Sequence, residues 1–113
     1  MATSARLVCA SAEVAERGDG VRFLAGETPA FVIRFDGNIY GYRNRCAHIS
    51  VELDWIDGKF FDSEGEHLIC STHGATYDPT SGRCLGGPCR GGLEPLRIFE
   101  ANGSIYLKEG GDG

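Results

Sequence analysis

Two dipeptides set the limits on how this chain can fold. Asp36-Gly37 and Asn102-Gly103 each sit between short runs in which apolar residues alternate with their neighbours. Asp-Gly and Asn-Gly tolerate the positive φ angles of a two-residue hairpin turn, the turn whose twist matches that of paired strands. In "AFVIRFDGNIYGY" (30–42), Phe31, Ile33 and Phe35 fall on one face, with Val32 and Arg34 on the other. In "PLRIFEANGSIYLKE" (95–109), Leu96 and Ile98 alternate with Arg97 and Phe99, and Ile105 and Leu107 return beyond the turn. Both stretches predict antiparallel hairpins.

The remainder agrees with an all-β chain. Seventeen glycines in 113 residues are roughly twice the usual share, which suits short strands and many turns. A strand is expected near Arg6–Ala10, a polar turn near Ser11–Arg17 with room for one helical turn, and a strand near Val21–Leu24. A short pair is expected at "KFF" (59–61) and "HLIC" (67–70), joined by "DSEGE" (62–66), and "YDPTSGRCLGG" (77–87) reads as a turn-rich return. The length predicts one domain, 1–113, with a less regular segment, 43–94, inserted between the hairpins.

Charge narrows the function. The net charge is −5 and no basic block is present, so neither nucleic acid nor an anionic membrane is an expected partner. The first apolar run meets Glu13 and Glu16 too soon for a signal peptide. No stretch approaches the ~20 apolar residues of a membrane span, and a cytoplasmic protein is expected. Five cysteines in a reducing compartment argue for metal or redox chemistry before a disulfide framework.

The inserted segment holds the chemistry. Residues 46–48 read "CAH" and residues 70–73 read "CSTH". Each motif alone is weak. Together they mark Cys46, His48, Cys70 and His73 as metal ligands, two thiolates and two imidazoles on two tight turns. Zinc accepts such a set, but zinc fingers usually place both cysteines in one pair and both histidines in the other. Here each pair is mixed, which suits a two-iron cluster whose irons differ. Cys9 reads as a core residue, His67 as a surface strand residue, and Cys84 and Cys89 as small buried or half-buried thiols, with a local disulfide between them as the alternative that a cytosolic setting disfavours. Glu52, Asp54, Asp57, Asp62, Glu64 and Glu66 read as a solvated face.

"CAHI", "CSTHGATYD" and "GRCLGGPC" resemble the Rieske-type [2Fe–2S] proteins, and the resemblance runs from about Val21 to Leu107. It implies stacked antiparallel β-sheets with a small cluster-binding subdomain inserted. It implies that Cys46 and Cys70 bind one iron and His48 and His73 the other. "GGP" (86–88) matches the loop that lies over the cluster. Gly74 falls where a side chain would crowd the cluster, and Tyr77 where some relatives hydrogen-bond a cysteine sulfur; simple packing is the alternative for Tyr77. The function implied is one-electron transfer by a ferredoxin, from a reductase to a terminal oxygenase, through transient contacts around His48, Ile49, His73, Leu85 and Pro88. A monomer is expected. The chain is expected not to be an enzyme itself, because with two of three histidines committed no two-histidine, one-carboxylate iron site remains. The alternatives are a small subunit of a larger oxidoreductase, similar to that of assimilatory nitrite reductases, and a zinc-stabilised binding module.

Two departures from the high-potential relatives bear on the potential. Where they carry a serine after the glycine, this chain has Ala75, and neither ligand motif contains the extra cysteine that joins their loops by a disulfide. Fewer donors to sulfur stabilise the reduced state less. The midpoint is therefore expected near the lower end of a range of about −150 to +300 mV, and a value above roughly +150 mV by protein-film voltammetry would refute this. The midpoint is also expected to fall with pH at alkaline values, because oxidation makes the imidazoles of His48 and His73 easier to deprotonate.

Overall fold

The computed structural model describes residues 4–44, 53, 58–70, 74–87 and 91–109. Both hairpins form. β3 (Thr28–Phe35) pairs with β4 (Asn38–Arg43) across Asp36-Gly37, and β9 (Ile98–Ala101) pairs with β10 (Ser104–Glu109) across Asn102-Gly103. All four turn residues have φ between 52° and 86°, the left-handed region for which these dipeptides are suited. β1 (Ser4–Ala10) adds to the second hairpin, giving the order β1-β10-β9. A 3-10 turn at Ser11–Glu13 follows, and β2 (Val21–Ala25) adds to the first hairpin.

The structure corrects the second hairpin's first strand. Pro95–Leu96 forms a separate strand, β8, which pairs with Gly41 and Tyr42 at the edge of the other sheet, completing the order β2-β3-β4-β8. Proline cannot donate to a ladder and so favours an edge position. The chain then crosses between sheets within a few residues. The pair expected at 59–61 and 67–70 is also reduced. Its strand character is confined to β5 (Leu68–Ile69), with a single bridge from Leu68 to Phe61.

β3 explains how the layers stack. Its two faces are both apolar, and each belongs to a different core. Val32 meets Cys9, Val14 and Ile105 between the two sheets. Phe31 and Ile33 point the other way, into a core that includes Tyr42, Leu53, Phe60, Leu68, Cys70, Ala75, Tyr77 and Leu93. That second core lies under a small third sheet, β5-β6-β7, with β6 at Thr76–Tyr77 and β7 at Cys84–Gly86. Gly41 lacks a side chain where Ile98 crosses: a Cβ there would stand 3.0 Å from Ile98 Cδ1.

One ion pair ties the two large sheets together. The Arg34 guanidinium donates to both Glu100 carboxylate oxygens, at 3.2 and 2.6 Å, and to the carbonyls of Val14 and Gly37. Arg34 holds the Glu100 carboxyl below the ordinary carboxylate range. A carboxyl depressed in the folded state contributes stability above its unfolded pKa, and that contribution is lost as pH falls through the folded value. Glu100→Gln is expected to lower stability by about 1–2 kcal/mol at neutral pH and by less below pH ~4. Chemical denaturation at pH 7 and pH 3.5 measures the difference.

Candidate metal centre

Of the four expected ligands, the described residues include Cys70; Cys46, His48 and His73 lie outside them. The frame around all four motif positions is nevertheless visible. The first motif falls in the segment 45–52, between Asn44 and Leu53. The second falls in the turn between Cys70 and Ala75.

The first segment is closed at its base by a side chain. The Leu53 amide donates to Asn44 Oδ1 at 2.8 Å, and the Asn44 amide donates to the Pro29 carbonyl at 2.9 Å. Among the described residues, Asn44 is the buried polar side chain of the fold. A buried amide left without a partner is costly, so this bond holds residue 53 against the end of β4. Leu53 itself is fully buried, which adds an apolar anchor to the polar one. Sequence reasoning did not single out Asn44. An asparagine at a strand end is common, and its partner lies nine residues away with no motif between them to mark the pairing.

The second turn is closed by the backbone. The Cys70 amide donates to the Ala75 carbonyl at 2.8 Å, and the Gly74 amide donates to the Cys70 carbonyl at 2.7 Å. These bonds continue the β5–β6 register, in which Leu68 faces Tyr77 and Ile69 faces Thr76. Gly74 has φ +76° with no described atom within 4 Å of an added Cβ. Its requirement among the described residues is therefore conformational. Tyr77 is fully buried in the same core as Cys70.

The third piece is the start of "GGP". Gly87, also at positive φ, lies so close to the second turn that an added Cβ would stand 2.8 Å from Ala75 Cα and 3.1 Å from the Gly74 carbonyl. The glycine lets the end of β7 lie directly against Gly74 and Ala75. Pro88 lies outside the described residues.

Other candidates separate cleanly. Cys9 is buried between the large sheets, and burial pushes its thiol up to about 11, so it stays protonated and inert. Cys84 is disulfide-bonded, the less favoured of the two expectations for it; Cys9 and Cys70 carry no disulfide. The His67 side chain is 44% exposed, with Nδ1 3.5 Å from Asp62 Oδ2, a surface position as expected. Asp62 departs from the solvated face. Burial raises its carboxyl, but amide hydrogen bonds from Glu66, His67 and Glu64 outweigh that and leave it lowered. It organises the 62–66 turn that leads into Cys70. Asp78 does the same for the next turn, accepting from the Thr80 amide and hydroxyl, both at 2.8 Å.

The profile of the Rieske [2Fe-2S] domain matches residues 4–100. The chain belongs to the Rieske [2Fe-2S] domain family. Membership implies a [2Fe–2S] cluster. No curated protein sequence matches the chain. Among solved structures, the chain resembles the Sphingomonas yanoikuyae B1 ferredoxin (20% identity, TM-score 0.76, covering 95% of this chain and 100% of that one). It resembles the ferredoxin of carbazole 1,9a-dioxygenase from Nocardioides aromaticivorans IC177 at 20% identity and TM-score 0.75, covering 95% and 97%. The terminal oxygenase of the same system contains a similar fold in 31% of its chain, at 20% identity and TM-score 0.78. At these identities the likeness speaks for the Rieske fold.

The described residues fit such a cluster. A fully buried cysteine is followed by a turn closed by backbone hydrogen bonds, Gly87 lies directly against the end of that turn, and Leu53, just past the other motif, is buried in the same core. Asn44→Ala is expected to cost about 1–3 kcal/mol by leaving the Leu53 amide unpaired and to speed loss of iron from the protein. Asn44→Asp, which keeps an acceptor oxygen, should lose iron more slowly than Asn44→Ala when both are followed by visible absorbance in the presence of a chelator.

Proposed function

We propose that this Rieske chain is a one-electron carrier, a ferredoxin that takes electrons from a reductase and passes them to a terminal oxygenase through transient contacts. The observation that carries the reading is the family match over residues 4–100, together with a fold shared along nearly the whole length of two solved ferredoxins. We assign the ligands as Cys46 and Cys70 to one iron and His48 and His73 to the other. We also assign one domain, 1–113, with 43–94 as its cluster-binding part, a monomeric state, and a cytoplasmic location. Among the described residues, no helix is long and apolar enough to cross a membrane.

When bound, the cluster supplies a one-electron couple. The protein's part is to hold its ligands still. Asn44 and Leu53 fix the base of the first motif, Cys70 and Ala75 fix the second, and Gly87 lies directly against Ala75. Ala75 has a methyl group where a hydroxyl would add a donor, which favours the lower end of the family's potentials.

The purified protein is expected to contain equimolar iron and acid-labile sulfide, and to show on reduction the EPR signal of a cluster with mixed nitrogen and sulfur ligation. His73→Cys should change the signal and lower the midpoint, since thiolate stabilises the ferric state more than imidazole does. Stoichiometric zinc in a colourless protein would overturn the reading. A stable, co-purifying large subunit would replace the free ferredoxin with a subunit of a larger oxidoreductase.

A further inference from the structure

The outer face of the β1-β10-β9 sheet is built unlike the rest of the surface. Register places Leu7, Tyr106 and Phe99 side by side across the three strands. Leu7 is 60% exposed, the highest of the large exposed apolar residues. The rings of Tyr106 and Phe99 stack with centroids 5.3 Å apart. The neighbouring row holds Ala5 opposite Lys108, and the Lys108 amide donates to the carbonyl of Arg97. Both basic side chains are exposed, and Lys108 Nζ stands 5.8 Å from the Phe99 ring centre. Neither row contains a carboxylate. Glu100, which alternates with Phe99 along β9, is turned to Arg34. Among the described residues, Arg97 and Lys108 have no carboxylate partner. In a chain of net charge −5, this face is apolar, aromatic and cationic.

We propose that this face is a second docking surface, one that binds an acidic segment of a partner protein and takes no part in electron exchange. Aromatic residues and arginine are enriched at protein interfaces. Two unpaired cations beside an apolar strip call for carboxylates around an apolar contact. Self-association through the same face would bring two cationic surfaces together with no carboxylate from either row to pair them. An anionic membrane is recognised by clusters of four to eight basic residues, more than this face has. The face is also on the far side of both large sheets from the core that contains Leu53, Cys70 and Ala75. With stacked sheets ~10 Å apart, a partner there leaves the ligand loops uncovered. The surface would hold the carrier near its redox partners while those partners use the opposite end.

Incorporation of p-benzoylphenylalanine at position 7, followed by irradiation of native cells and mass spectrometry, tests this. The expected product is one partner protein, cross-linked through a segment rich in Asp and Glu. Its yield should fall about tenfold in the Arg97→Glu, Lys108→Glu variant, as expected for two reversed ion pairs. An unchanged reduced EPR spectrum of the variant shows that the cluster and fold persist. Cross-links to a second copy, to lipid, or to a segment without carboxylates would overturn the proposal, as would no cross-link or a yield insensitive to charge reversal. This proposal rests on the ferredoxin reading only for its account of the opposite end: absence of iron from the purified protein would overturn that reading, whereas the charge-sensitive cross-link tests this face with or without a cluster.

Discussion

Phe31 lies against Phe60 with ring centroids 4.0 Å apart and planes within 12° of parallel. This stack joins an inner strand of a large sheet to the segment that carries both Cys/His motifs. Around it close Tyr42, Leu53, Leu68, Cys70 and Tyr77, all essentially excluded from solvent. Burying an aromatic or leucine side chain stabilises by about 1.5–3 kcal/mol, so this core is a large share of what holds the segment in place. The irregular segment can therefore carry short strands and many turns without losing its position. Its precision comes from what it packs on.

Polar anchors complete what the core begins. Tyr42 reaches through the core to donate to the Pro79 carbonyl at 2.7 Å, and burial raises its hydroxyl pKa well above the ordinary value. Gly82 permits this, since a Cβ there would stand 2.8 Å from the Tyr42 ring. The turn at Asp78–Gly82 is thus fixed from below by tyrosine and from within by the Asp78 carboxylate. The same logic recurs at Asp62 and at Asn44. In each case a side-chain oxygen accepts from a backbone amide in a turn that leads to or from a motif.

The hairpins were legible in the sequence because their information is local: a turn dipeptide and a period of two. The family was legible because mixed Cys/His pairs are rare and chemically specific. The membership of Leu96 was not, since apolar alternation continues smoothly from 96 to 98 while the chain changes sheets between them. Asp62 was misread as a solvated carboxylate because sequence shows its charge and not the three amides that surround it. The outward row of Leu7, Tyr106 and Phe99 was equally hidden. It exists only once register sets three distant strands side by side.

The bond between Asn44 and Leu53 has a consequence for how the protein is made. It closes the base of an eight-residue segment with groups that belong to the polypeptide, so that closure does not depend on iron. The entropy of bringing such ends together is met during folding. A newly made chain would then hold the two ends of the first motif's segment together before any iron is bound.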